Sequence, residues 1–369
     1  MARSDRRWKV LSEMSATDIF PASVIGSMPR SDFVKDLIAS QESLPVEVYA
    51  RRMEAAIRYI VALQEQAGVD ILTDGEWRRK SYIGVIAELA HGFSLSRNPS
   101  DGRPWTVVVD KLEPKDPGFV AREIAFVKSI TSRQVKATLP SPALLGERMW
   151  DSGLSVRAYS TRREFIQACI PILRREVELI IEAGADIVQI DDPHLCLFVD
   201  PEVRRAYNDP DEAADFAVET VNAVVGGIEG VTLALHLCRR AGSRGRGENC
   251  FKGGFDPIVD QLNRLSVNHL AMEFAAPDAG DLAVLQRLRE DMTIGLGCVD
   301  VTPGKVDSVE TIVERVRNAT RFVPPTRITL NPDCGFAPGS GAAVSIEEAY
   351  RKLQNEVAAA HRLREEFKS

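Results

Sequence analysis

No stretch of the 369 residues approaches the about 20 consecutive apolar residues that cross a bilayer. The opening residues, Met1 to Arg7, are polar and charged with no apolar segment behind them. A secretory leader is therefore not expected, and a cytoplasmic location is. There is no basic excess either. Lys and Arg total 46 against 53 Asp and Glu, a formal net charge of −7, so nucleic-acid binding gains nothing from bulk electrostatics. No Gly-x-Gly-x-x-Gly follows the first strand-like segment, which counts against a dinucleotide-binding fold. What remains is ordinary: 44% hydrophobic and 27% charged residues, the balance of a globular protein.

Histidine is scarce, at five residues, and cysteine numbers six. In a long chain without a leader, cysteines are read as metal ligands or free thiols before disulfides. Cys169 falls in a helical pattern and reads as core, and Cys196 and Cys298 fall near strand ends. The pair that matters is His236-Leu237-Cys238, at the end of the apolar run 231–237. In an extended chain residues i and i+2 point the same way, so both side chains can reach one ion. Met272-Glu273 ends a second apolar run, and Asn331-Pro332-Asp333-Cys334-Gly335 follows a third. His236, Cys238, Glu273 and Cys334 together make a four-ligand zinc set.

Read in order, the chain gives a short arm at 1–20 and then strands at 23–27, 70–73, 135–139, 186–190, 231–237, 269–272, 292–295 and 327–330. Helical periodicity separates most of them, clearest at 46–67, 162–183, 211–225 and 345–367. A stretch rich in Pro, Gly, Asp and Lys at 97–117 reads as a small inserted hairpin or lid. Eight strands alternating with helices predict an α/β protein with a parallel sheet, a single (β/α)8 TIM-type barrel over 21–369. In such barrels the active site lies at the carboxyl ends of the strands. The unusual polar residues fall there in strand after strand: Ser27, Glu76, Asp191, His236, Glu273 and Cys334.

Ile25-Gly26-Ser27, Asp74-Gly75-Glu76, Gln189-Ile190-Asp191-Asp192-Pro193, His236-x-Cys238, Glu273 and Asn331-Pro332-Asp333-Cys334-Gly335 resemble the catalytic domain of the cobalamin-independent methionine synthase family. The likeness runs over about 20–365. It implies a (β/α)8 barrel, a catalytic zinc, and transfer of a methyl or other alkyl group to a thiol. By that resemblance His236, Cys238, Glu273 and Cys334 match the zinc ligands. Ser27, Glu76 and Asp191 match positions that hold the amino-acid part of homocysteine, with Glu76 and Asp191 also the candidate catalytic groups. Three features depart from the family pattern: no room for a second barrel, Asp191-Asp192-Pro193 where Asp-Glu-Pro is usual, and a longer basic loop after Cys238.

The expected chemistry follows from the ligands. A free thiol is mostly protonated at neutral pH, and a metal holds it as the nucleophilic thiolate. Glu273, the hardest ligand on a borderline-soft ion, is the readiest to yield to it. Glu76 and Asp191 can grip an ammonium, and Ser27 with nearby N–H groups can receive a carboxylate. Structural ion pairs of Glu76 and Asp191 with Arg30, Arg78 or Arg79 are the plainer alternative. Asp192 and His194 read as proton relays, with turn capping the equal alternative for Asp192. The loop 239–254, with Arg239, Arg240, Arg244, Arg246 and Lys252, reads as a clamp for an anionic donor, and Trp77 or Trp150 as a stacking surface for a pterin. The function expected is zinc-dependent methyl transfer to homocysteine, giving methionine, most simply from a methylated folate. The expected partners are this small thiol and its methyl donor, not nucleic acid or membrane, with a homo-oligomer left open. Alternatives are a thiol alkyltransferase of the epoxyalkane:coenzyme M type, a zinc barrel that only binds thiols, and a uroporphyrinogen decarboxylase-like enzyme of the same fold.

Overall fold

The expected strands are short and apolar on both faces, the pattern of strands covered on both sides. The computed structural model describes residues 19–97, 104–239, 251–337 and 344–368. In it the strands run as β1 (Ile71–Leu72), β2 (Ala90–Arg97), β3 (Pro104–Pro114), β4 (Gln134–Pro140), β5 (Ile187–Asp191), β6 (Thr232–Leu237), β7 (His269–Glu273), β8 (Thr293–Val299) and β9 (Ile328–Pro332). Seven of them form one sheet in the order β1-β4-β5-β6-β7-β8-β9, and every pairing is parallel.

Residues 22–23 close that sheet. Ala22 bridges Leu330 in β9 and Ser23 bridges Ile71 in β1, both parallel. Ser23 N donates to Leu330 O at 2.9 Å, Leu330 N to Pro21 O at 2.8 Å and Ile71 N to Ala22 O at 3.1 Å. The strand expected at 23–27 is thus an eighth stave reduced to two bridging residues, and the sheet has no open edge for another chain to pair with. Each of the other seven barrel strands overlaps an expected one.

Helices Val46–Ala67, Phe119–Ile130, Arg162–Glu182, Pro210–Val225, Val309–Ala319 and Ile346–Glu366 alternate with the strands. Their boundaries follow local chemistry. Thr161, Asp209, Ser308 and Ser345 each accept a first-turn backbone N–H, and Gly68 ends its helix at φ 93, where a β-carbon is disfavoured. Their apolar faces share one core with the outward side chains of the strands, including Leu139, Ile190, Leu235, Leu270 and Leu296. Truncating one of these to Ala costs about 2–5 kcal/mol.

The inward side chains form rows by the two-residue period. Ile71, Ile187 and Ala234 make a separate small apolar cluster. Two and four residues further along these rows stand Thr73, Gln189 and Asp191, and His236 and Cys238. These three rows therefore run from apolar to polar towards the carboxyl ends.

The inserted hairpin is real but begins earlier than 97. It is the antiparallel pair β2·β3, Ala90 with Pro114 through Arg97 with Pro104, and residues 98–103 at its turn lie outside the described residues. β2 reads Ala-His-Gly-Phe-Ser-Leu-Ser-Arg; the bulge between His91 and Phe93 interrupts its alternation, which hid it from a periodicity reading. Most of the arm at 1–20 also lies outside the described residues. No described helix is long and apolar enough to cross a membrane.

Candidate metal centre

β6 carries His236 to the carboxyl-terminal mouth, and Cys238 follows as the strand ends. Cys334 arrives two residues past β9, 96 positions along the chain from Cys238. The three ligand atoms lie within 4.8 Å of one another, and all three residues are buried. The two sulfurs are 3.2 Å apart. The His236 ring is fixed in one tautomer. Nδ1 lies 3.4 Å from Ala271 O, and a carbonyl only accepts, so Nδ1 carries the proton. Nε2 then presents its lone pair, and it is buried with no hydrogen-bond partner. An imidazole held by a backbone carbonyl, with its other nitrogen unpaired beside two thiols, has the form of a metal ligand. Burial, and then Lys136, push this imidazole down to about 3, so it is neutral and ready to ligate at any ordinary pH.

Glu273, at the end of β7, stands beside the cluster. Its Oε1 is 3.5 Å from Cys238 Sγ, and its Oε2 accepts from Arg239 Nη1 at 3.3 Å. Arg239 is itself buried, donates Nη2 to Ala279 O at 2.9 Å and lies 4.4 Å over the Phe255 ring. The expected clamp loses this residue, which turns inward to Glu273. Arg240, Arg244 and Arg246 lie outside the described residues. Asp333 accepts from Phe274 N at 3.0 Å and Ala275 N at 2.9 Å, tying the chain after Glu273 to the segment that carries Cys334.

The carboxylates flank this centre. Glu76 sits in a tight turn, with Gly75 at φ 71 and Glu76 at φ 60, and its N–H donates to Asp74 Oδ1 at 2.9 Å. A non-glycine residue at positive φ is costly, and such strain concentrates at functional sites. Glu76 Oε1 accepts from Thr138 Oγ1 at 2.7 Å. Gly26 backs onto it: a β-carbon there would stand 2.6 Å from Oε1, the physical reason for glycine in Ile25-Gly26-Ser27. Burial raises the Glu76 carboxyl above the usual range, against the pull of Arg79 and Thr138. Asp191 ends β5, pairs in register with His236 and accepts from Gln189 Nε2 at 2.7 Å. Burial, then Glu76, push it up to about 8. Of the plain ion-pair alternative, the geometry shows a loose contact for Glu76: Arg79 Nη1 stands 4.0 Å from its Oε1, with both side chains buried. Ser27 Oγ accepts from Ala337 N at 3.2 Å, holding the loop after β9.

Other expected residues fall into structural places. Asp192 caps helix Pro193–Leu197, accepting from Leu195 N at 2.9 Å. His269 is core, with Nδ1 2.8 Å from Thr293 Oγ1. Trp77 is wholly buried and donates to Met28 O at 3.2 Å, so it offers no face to a pterin. Trp150 Nε1 is occupied by Tyr159 O at 3.0 Å. Cys169, Cys196 and Cys298 are buried free thiols. Sequence reasoning missed Thr138 and Tyr82, and it gave Arg239 a different role. Tyr82 is half-buried, and its phenol is held neutral by burial and then by Cys238, with Asp191 and Cys334 adding to it. Nothing in the spacing of Thr138 or Tyr82 marks them, because their partners come from other strands.

A closed (β/α)8 barrel with an imidazole and two thiols gathered at its carboxyl-terminal mouth defines a barrel protein of the soft-metal-site class. Comparison with known proteins makes the assignment narrower. The family described as cobalamin-independent synthase, catalytic domain, matches residues 20–362, and the chain belongs to that family. A protein named methionine synthase from Saccharolobus solfataricus is 27% identical over 365 residues, covering 96% of this chain and 98% of the relative. One of the same name from Pyrococcus horikoshii is 29% identical over 360 residues, covering 95% and 94%. A solved B12-independent methionine synthase from Shewanella sp. W3-18-1, in complex with selenomethionine, superposes with a TM-score of 0.76 at 20% identity, covering 94% of this chain and 98% of that one. At that identity the likeness bears on the fold, and it agrees with the barrel described above.

Proposed function

We propose that this chain transfers a methyl group to the thiol of homocysteine, giving methionine, and that its metal is Zn²⁺. The observation that carries the reading is the meeting, in one barrel mouth, of a soft donor set with a buried carboxylate pair. His236, Cys238 and Cys334 would hold the ion, with Glu273 as fourth ligand, a sulfur, nitrogen and oxygen set that suits zinc. Bound there, zinc would supply the acceptor thiol as a thiolate at neutral pH.

The chain's own residues do the rest. Glu76, oriented by Thr138, receives the ammonium of an amino-acid thiol. Asp191, pushed up to about 8, is protonated before the substrate arrives and yields that proton when a cation takes its place. A carboxyl in this range accepts and returns protons near neutral pH. Ser27 and the backbone N–H groups beside it receive the α-carboxylate. Two buried carboxyl groups offer a sulfonate no counter-charge, which disfavours the coenzyme M reading, and decarboxylation leaves the thiol pair without a task. The methionine synthase names of the relatives support the same direction. The donor is read as a methylated folate. The barrel over 21–369 is read as one domain, with 1–20 an arm, working in the cytoplasm on small molecules.

The test is a turnover screen of the zinc-loaded protein, pairing homocysteine and coenzyme M with methylfolate and other methyl donors. Methionine formed from homocysteine is the expected product. Turnover of coenzyme M without homocysteine overturns the acceptor, and a donor other than methylfolate overturns the donor alone.

A further inference from the structure

Glu76 has a cation close by that does not touch it. Arg79 is buried, and its hydrogen bonds go elsewhere. Its Nε and Nη2 donate to Glu123 Oε2 at 3.1 and 3.0 Å. Glu123 belongs to helix Phe119–Ile130, outside the barrel wall. The remaining arm, Nη1, donates to Thr138 O at 2.8 Å and to Thr138 Oγ1 at 2.9 Å. Glu76 Oε1 is left 4.0 Å from that nitrogen, beyond hydrogen-bond range.

Thr138 stands between them. A threonine hydroxyl has one proton and can also accept. Because Oγ1 accepts from Arg79, its proton is directed to Glu76 Oε1, 2.7 Å away. Glu76 therefore receives one neutral hydrogen bond where a direct guanidinium contact would have neutralised it. Gly26 leaves space for the carboxylate, and the φ 60 backbone aims it.

We propose that Thr138 is a specificity-setting positioning residue, which relays Arg79 to Glu76 and holds the guanidinium in a loose ion pair at 4.0 Å, short of a hydrogen bond, so that the Glu76 carboxylate keeps its oxygens for the ammonium of the acceptor thiol. This rests on the amino-acid-thiol reading above. Removing the hydroxyl acts twice in one direction. Buried Glu76 loses a bond that favours its charged form, and Arg79 Nη1 is freed to pair with it directly. Both effects reduce its attraction for an ammonium, and neither touches the metal ligands.

The experiment compares zinc-loaded wild-type protein with Thr138→Val, Thr138→Ala and Thr138→Ser. Calorimetry measures binding of homocysteine and of 4-mercaptobutanoate, the same thiol and carboxylate without the ammonium. Zinc content and circular dichroism establish that each variant is loaded and folded, with the Ala variant standing in if the Val variant is not. Wild type should prefer homocysteine. Thr138→Val should weaken homocysteine roughly tenfold or more, the loss of one charged hydrogen bond, and leave 4-mercaptobutanoate within about twofold. Thr138→Ser should restore the preference. An unchanged preference in folded Thr138→Val overturns the proposal, as does an equal loss of both thiols or a failure of Ser to restore it. A wild type with no preference instead overturns the amino-acid-thiol reading, and this inference with it.

Discussion

Replacing Glu76 with Gln should move binding and stability in opposite directions. The binding side follows from the charge removed. An ammonium facing a buried carboxylate loses about 2–4 kcal/mol when one partner is neutralised, or about 30- to 1000-fold in Kd. The stability side follows from linkage. Burial raises the Glu76 carboxyl above its unfolded value, outweighing both Arg79 and the Thr138 hydrogen bond. A carboxyl raised in the folded state binds more protons folded than unfolded, so its ionisation destabilises the fold as pH climbs above the unfolded value. At pH 7 an uncharged Gln of the same shape is free of that cost. Arg79 is not orphaned, because it keeps Glu123 and the Thr138 carbonyl. The thiol-free variant should therefore melt higher than wild type at pH 7 and lose this advantage towards pH 4. Calorimetry with homocysteine and thermal melts at several pH values measure both sides. A variant that binds homocysteine as wild type does, or melts lower at pH 7, refutes the reasoning.

Cys238→Ser and Cys334→Ser should each lose most bound zinc while far-ultraviolet circular dichroism stays that of a folded barrel, since a thiol-to-hydroxyl change at the loop face leaves the rest of the large core in place. Retained stoichiometric zinc in either would count against the ligand set. Zinc binding at pH 7 should release protons if the two thiols ligate as thiolates, with none from His236, which is pushed down to about 3; buffer-dependent calorimetry reads the release, and none contradicts thiolate ligation. In the metal-free protein, Asp191, pushed up to about 8, holds a proton that the unfolded chain has lost, so stability should fall as pH rises from about 4 to 8, and Asp191→Asn should flatten that fall in urea titrations. Gly26→Ala should drive a methyl against Glu76 Oε1, 2.6 Å from its ideal position, weakening homocysteine with zinc content unchanged, as metal analysis and calorimetry would read.

The strands and the metal triad were legible in the chain because they depend on local regularities. Buried parallel strands show as short apolar runs, and the helices between them show as 3.6-residue periods ended by signals such as Gly68. His236-x-Cys238 was visible because two ligands share one strand end, and Cys334 because it follows another in a distinctive motif. The closure by residues 22–23 was not visible as such, since two bridging residues leave no pattern and their partners lie at 71 and 330. The start of the hairpin at Ala90 was hidden by its bulge. Only the tertiary structure decided which charges face which. Arg239 reads as one of a basic run in the sequence, yet in space it is a buried partner of Glu273. Arg79 is three residues from Glu76 and by spacing its natural partner, but Glu123 and Thr138, 44 and 59 positions away, take its donors. Apolar patterning records how deep a side chain lies, whereas the pairing of buried polar groups depends on directions and distances between strands, and these exist only once the barrel has closed.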